Sequence, residues 1–76
     1  MAHRSELDRL TRECTEVLSR YIKEAERTCT LLVAIIRHPV SEEEREQLRS
    51  QRTNENLAFV KYHEVRERLF ELAEWQ

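Results

Sequence analysis

Apolar residues recur at intervals of three and four along two long stretches of the chain, which is the spacing of one side of an α-helix. The first stripe runs from Leu7 to Ile36, and the second becomes dense only after Leu57. One interruption, Arg37-His38-Pro39-Val40-Ser41, separates them in a sequence with no glycine and no other proline. Because these two residue types usually mark turns, the pattern predicts two long helices and one reversal.

Capping residues predict where each helix begins. Ser5 with Asp8 three residues later resembles a capping box, and Ser41 with Glu44 forms a complete one. Pro39 disfavours helical geometry in the residue before it, so the first helix should end near that point. We expect one domain over residues 1–76, with helix 1 at about 5–37, a turn at 38–41 and helix 2 at about 42–75.

Folding the chain at the proline predicts an all-α antiparallel helical hairpin with a defined register. Residues whose numbers sum to about 79 then lie at the same level, and large side chains oppose smaller ones, as close packing prefers. The predicted layers are Leu7 with Leu72, Leu10 with Leu69, Cys14 with Val65, Val17 with Tyr62, Tyr21 with Ala58, and Leu31 with Leu48.

The apolar pattern of the first helix also predicts a homodimer. Its positions are nearly mirror-symmetric about the midpoint between Tyr21 and Ile22, so a twofold axis there would match the stripes of two antiparallel copies. We therefore expect a four-helix bundle resembling a coiled coil. The predicted interface is Leu10, Cys14, Leu18, Tyr21, Ile22, Ala25, Cys29, Val33 and Ile36. Further apolar surface is expected at Leu31, Val33, Phe59, Phe70 and Trp75.

Charge and hydropathy narrow the class of protein. Thirteen basic and fifteen acidic residues are interleaved, with a net charge of −2, so no nucleic-acid partner is expected. A short basic stripe on the second helix consists of Arg45, Arg49 and Arg52, and we interpret it as a solvated helix face. The longest apolar run, residues 31–36, is far short of the roughly 20 residues of a membrane span, and the start of the chain lacks a secretory apolar region. We expect a cytoplasmic protein with no membrane partner.

The two cysteines lie on the same predicted helix. Cys14 and Cys29 would stand about 22 Å apart along its axis, too far for a disulfide within one chain. No further cysteine or histidine spacing indicates a zinc site. We expect reduced thiols that pack as small hydrophobic groups, and a thiol pair across the proposed twofold axis is the alternative.

One tetrapeptide suggests phosphotransfer. His63-Glu64-Val65-Arg66 resembles the His-Glu-apolar-Arg core of the phosphoacceptor box of sensor histidine kinases, whose dimerisation domains are dimeric helical hairpins. That resemblance implies a phosphorylatable imidazole on the bundle surface. The box of that family continues with Thr or Asn and then Pro and lies on the first helix, whereas Glu67-Arg68 follow here on the second. A solvated His63 paired with Glu67 or Glu16 is the favoured interpretation.

Paired carboxylates are the other chemical candidates. In a strict heptad register Glu24 and Glu55 would face each other, as in di-iron bundles, but the Glu-x-x-His pairs of those sites are missing. A period of 3.6 would instead bury Ala25 and Phe59 and turn both glutamates outward. A second set resembles the magnesium-binding carboxylates of all-α nucleotide pyrophosphohydrolases, with both pairs here on one helix. Its members are Glu43, Glu46, Glu64 and Glu67.

These patterns favour a non-enzymatic, homodimeric interaction, scaffolding or regulatory module without a cofactor or a metal. Its partner would be a second copy of the chain, or another helical protein. The alternative is a small bundle enzyme or phosphotransfer protein that uses His63 or one of the carboxylate sets.

Overall fold

The fold is an antiparallel hairpin of two long α-helices. The computed structural model describes residues 2–74, with side chains from Arg4 onward. Helix α1 spans Ala2–Ile36 and helix α2 spans Glu42–Glu74. The hairpin measures 58 × 15 × 13 Å, and its radius of gyration is 17.1 Å. A compact domain of this length would have a radius of gyration of about 11 Å, so the molecule is a rod whose helices have one neighbour each.

The reversal lies at the proline and is closed by the predicted capping box. The backbone N–H of Ser41 donates to Glu44 Oε1 at 3.1 Å, and the Glu44 N–H donates to Ser41 Oγ at 3.2 Å. Three glutamates in the first turn of α2 also favour the positive end of its dipole. This pair of hydrogen bonds satisfies two groups that a helix start otherwise leaves without partners.

Helix α1 begins earlier than its predicted cap. Ser5 lies inside the helix rather than at its start, because Ala2, His3 and Arg4 are all compatible with helical geometry and nothing between them stops it. The helix ends at Ile36, one residue before the predicted end. Trp75, where further apolar surface was expected, lies outside the described residues.

A small core holds the open end of the hairpin together. Leu10, Val17 and Val65 are buried, with Leu10 only 2% exposed and Val65 1% exposed. Partly buried apolar side chains pack against them: Cys14, Tyr62, Leu69 and Leu72. All seven belong to the layers predicted from the antiparallel register, so the sequence pattern identified the core correctly.

The end of the hairpin near the turn is packed differently. Its only buried side chain among the described residues is Gln51, which is 8% exposed. Leu31 and Leu48, a predicted layer, are half-buried. Val33 and Ile36 on α1 are 52% and 80% exposed, because the facing part of α2 is charged and polar. None of the described helices is long and apolar enough to cross a membrane.

Candidate interaction face

One broad side of the hairpin is apolar along the whole of α1 and along the part of α2 that follows residue 57, and we call it the apolar face. On α1, Leu7, Leu18 and Cys29 follow one another at intervals of eleven residues, which is close to three helical turns, so they fall on one line. Ala25 and Ile36 repeat the same interval beside them. On α2 the face continues through Phe59, Tyr62, Phe70 and Ala73.

Aromatic contacts show that the two helices contribute to the same side. The Tyr21 ring meets Phe59 edge to face at 5.4 Å and stacks on Tyr62 at 6.3 Å. Phe59 also stacks on the His63 ring at 6.1 Å. Such pairs contribute roughly 0.5–1.5 kcal/mol beyond the area they bury. Tyr21 therefore joins α1 to the aromatic residues of α2 near the middle of the hairpin.

The apolar face has a groove at one end and a ridge at the other. The groove, near the chain termini, is lined by Leu7, Cys14, Tyr62, Leu69, Phe70 and Ala73. Arg66 borders it and holds its guanidinium 5.3 Å above the Phe70 ring. The ridge, near the turn, consists of exposed side chains on α1: Cys29, Leu32, Val33 and Ile36. A concave apolar surface and a row of exposed apolar side chains thus lie on one side of the same molecule. A shallow depression along α1, lined by Tyr21, Ile22, Ala25 and Cys29 among others, lies between them.

The opposite side of the hairpin is polar. Two shallow depressions there are lined mainly by charged and amide side chains, including Arg20, Asn54 and Lys61 in one, and Arg9 and Arg68 in the other. Leu57 and Val60 are exposed apolar residues of α2 outside the apolar face, at 66% and 51%. Leu57 lies two positions from Phe59, on the other side of α2. The contrast between the sides singles out the apolar face as the candidate site.

The structure divides the predicted dimer interface into two groups. Leu10 is buried within its own hairpin, beside Val17 and Val65. Cys14 packs on the same core. The exposed members of the predicted set are Ile22, Cys29, Val33 and Ile36, while Leu18, Tyr21 and Ala25 are half-buried. Phe59 and Phe70, where further apolar surface was expected, are exposed on this side. Leu7 and Leu69, which line the groove, were not in the predicted interface.

His63 lies at the edge of the apolar face. Its Nε2 is 3.9 Å from Glu67 Oε1, and both side chains are more than half exposed. The predicted pairing with Glu67 is confirmed, and the ring is held on the Phe59 face. The imidazole is therefore accessible, with one carboxylate beside it.

The glutamates of the predicted carboxylate pairs differ in burial, and Glu55 is half-buried. Glu24 points into the hairpin with 17% of its side chain exposed, and Phe59 is 47% exposed. The expected outward rotation of Glu24 and burial of Phe59 are therefore wrong. Glu46 pairs with Arg49 at 3.4 Å, while Glu43 and Glu64 are exposed. Within the part of the chain that the structure describes, no three His, Cys, Asp or Glu side chains converge as metal ligands.

Glu24 instead takes part in a buried polar contact that sequence reasoning missed. The Gln51 side-chain amide donates to Glu24 Oε2 at 2.7 Å and to the Glu24 carbonyl oxygen at 3.0 Å. Arg27 approaches the other carboxylate oxygen of Glu24 at 3.4 Å. The spacing of Gln51 from Leu48 and Ala58 was the available signal, because intervals of three and seven place all three on the seam side.

The thiols differ in their surroundings. Cys14 and Cys29 are both free, as expected for two positions so far apart on one helix. Cys14 is half-buried and packs on the core, in agreement with its predicted role. Cys29 is exposed on the ridge, so its predicted burial does not occur within one chain.

None of the family models, curated proteins or solved structures compared with this chain matches it. We therefore infer its function from the surface and the packing of the hairpin.

Proposed function

We propose that the protein is a non-enzymatic interaction module that acts as a homodimeric four-helix bundle. The observation that carries this proposal is the apolar face, which runs the whole length of α1 and continues on α2 after residue 57. Its side chains Ile22, Val33, Ile36, Phe59 and Phe70 are between 46% and 80% exposed. Contiguous apolar surface of this extent marks interaction sites in soluble proteins. The opposite, charged side would remain in water and carry the contacts that distinguish one partner from another.

The surface area supports a second helical pair as the occupant of the face. The hairpin exposes 6309 Å², whereas a compact monomer of this mass exposes about 4900 Å². The excess, roughly 1400 Å², is larger than the ~800 Å² per partner that a stable interface buries. One further hairpin on the apolar face would therefore bring the chain close to the exposure of an ordinary globular protein.

A non-enzymatic role is favoured by how the polar groups are distributed. The His63 imidazole has one carboxylate beside it, and the Glu24 carboxylate is engaged by Gln51 and Arg27. Catalytic sites instead bring several polar groups together in a concave pocket. The groove is lined mainly by hydrophobic side chains, which suit another protein surface.

Light scattering on size-exclusion chromatography, with two matched charge variants, tests this proposal. Val33→Glu places a carboxylate on the ridge, and Leu57→Glu places the same group on the polar side, at a similarly exposed position. We expect a dimer for the wild type at micromolar concentration, a dimer for Leu57→Glu, and at least a tenfold weaker association for Val33→Glu. Circular dichroism checks that all three remain helical. A monomeric wild type, or equal weakening by both variants, would contradict the proposal.

A further inference from the structure

We propose that the ridge of each copy fills the groove of the other, in an antiparallel dimer whose twofold axis passes between Tyr21 and Ile22 of the two α1 helices. This inference rests on the proposed homodimer and specifies its geometry. It replaces the interface predicted from sequence, in which the buried Leu10 took part, with one formed by exposed side chains and a concavity already present in each chain.

The positions of ridge and groove along α1 fit this arrangement. With the axis at that midpoint, residues whose numbers sum to 43 lie at the same level in opposite copies. Ile36 then lies level with the partner's Leu7, and Cys29 lies level with the partner's Cys14. These two pairs join the two ends of the ridge to the two α1 residues that line the groove. The ridge and the groove therefore have the same length and meet without a shift.

The groove is formed by side chains of both helices of the hairpin, not of α1 alone. Leu69, Phe70 and Ala73 of α2 stand beside Leu7 on one side of it. A ridge side chain entering there would contact both helices of the partner hairpin, as a knob does in a bundle core. Because the twofold axis repeats the contact, both ridges are covered at once and the assembly closes as a dimer.

Charges at the edge of α1 are complementary in the same orientation. Arg37 directly follows Ile36, the last residue of α1, and is 29 residues from Asp8. This separation is close to eight helical turns, so the spacing of α1 continued by one residue would place both on the same flank. Both are exposed, and neither has an ion-pair partner among residues 4–74. In the antiparallel dimer the Asp8 of one copy lies about 3 Å along the axis from the level of the partner's Arg37. In a parallel pair, Asp8 of one copy and Arg37 of the other would lie about 44 Å apart along the axis.

Distances between spin labels on equivalent residues of the two copies test the orientation. Labels at Lys23→Cys and, separately, Ala34→Cys are exposed and lie away from both the ridge and the groove. The background carries Cys14→Ala and Cys29→Ala, and light scattering first establishes that it is dimeric. At ~1.5 Å rise per residue, the axial separation is about 5 Å for position 23 and about 38 Å for position 34. We therefore expect a much longer distance for the second label.

Equal distances at the two positions in a dimeric sample would overturn the docking geometry and leave the homodimer standing. A wild type that is monomeric by light scattering would overturn both the docking geometry and the homodimer.

If the cysteine substitutions alone weaken the dimer, isotope-filtered nuclear Overhauser spectra of mixed wild-type samples test the docking geometry instead. Contacts between Ile36 methyl groups of one copy and Leu7 or Phe70 of the other support the geometry. Contacts between the two Ile36 residues contradict it.

Discussion

The two ends of the hairpin bury different kinds of residue. The terminal half, residues 4–21 with 58–74, contains the buried Leu10, Val17 and Val65. The turn half, residues 22–57, contains one buried side chain, the amide of Gln51. The difference arises because α1 is apolar along its whole length, whereas α2 is apolar only after residue 57. A hairpin of these two helices can complete its core at one end only.

The comparison explains where the surplus apolar surface lies. In the turn half the apolar side of α1 has no apolar counterpart on α2, so the ridge stays exposed. Burying each large apolar side chain contributes roughly 1.5–3 kcal/mol, which the isolated hairpin does not gain there. The terminal half, in contrast, is packed well enough to fix the register. One end therefore specifies the hairpin, and the other end supplies surface for association.

The largest effect is expected from truncating the core of the terminal half. Leu10→Ala leaves a cavity against Val17 and Val65, and we expect the free energy of unfolding to fall by about 2–5 kcal/mol. Urea unfolding followed by circular dichroism at one fixed protein concentration measures it. Leu57→Ala is the matched control in the turn half, because the same change at an exposed site should cost within about 0.5 kcal/mol. Equal losses would remove the distinction between the halves.

An intermediate effect is expected from the polar contact of the turn half. Gln51→Leu leaves the inward-pointing Glu24 carboxylate without its amide donor, which should cost about 1–3 kcal/mol of unfolding free energy. Replacing both partners, in Glu24→Leu/Gln51→Leu, should recover most of that loss. Gln47→Leu, at an exposed position of the same helix, serves as the control in urea unfolding. A double variant no better than Gln51→Leu would contradict this account of the contact.

The smallest effect concerns pH and the start of α2. The Ser41 N–H hydrogen bond lowers the pKa of Glu44 below its ordinary value, with smaller contributions from the Ser41 side chain and from His38. A carboxyl whose pKa is lower in the folded state stabilises the fold above its unfolded pKa, and loses that contribution as pH falls through the folded pKa. Unfolding measured from neutral pH down to acid should show this loss in the wild type.

The matched variants for that titration are Glu44→Gln and Glu43→Gln. Glutamine keeps the capping hydrogen bond of Glu44 and removes its charge, so the first variant should lose stability less steeply in acid. Glu43 is exposed in the same helical turn, and its variant should follow the wild type. Identical slopes for Glu44→Gln and the wild type would show that this carboxylate does not contribute to the acid response.

The sequence was sufficient to predict the hairpin, its reversal and its core. A single proline, the Ser41-Glu44 box and two apolar stripes leave few alternatives, and the predicted layers contain every residue of the observed core. The periodicity of α1 could not show whether Leu10 is covered by α2 of the same chain or by a second copy. An apolar stripe wide enough for two neighbours shows which side of α1 is buried, and it does not say whether the same chain or another copy buries each position.

The errors at Glu24 and Phe59 have a related cause. A small difference between periods of 3.5 and 3.6 residues decides which of two adjacent positions faces the seam after several turns. The Tyr21 ring fills the space beside Phe59 and keeps it on the apolar face, while Gln51 provides a hydrogen-bond donor that makes an inward glutamate favourable. Both outcomes depend on contacts between helices, which a pattern along one helix does not contain.

Amide hydrogen exchange at two protein concentrations tests the central claim most directly. In a dilute, monomeric sample, α1 residues 22–36 should exchange much faster than residues 10–17, because few buried side chains hold the turn half closed. At a concentration where the dimer forms, residues 22–36 should gain protection, since the partner covers the ridge. Equal protection of the two segments in the monomer, or no gain on association, would contradict the division of the hairpin into a specifying end and an associating end.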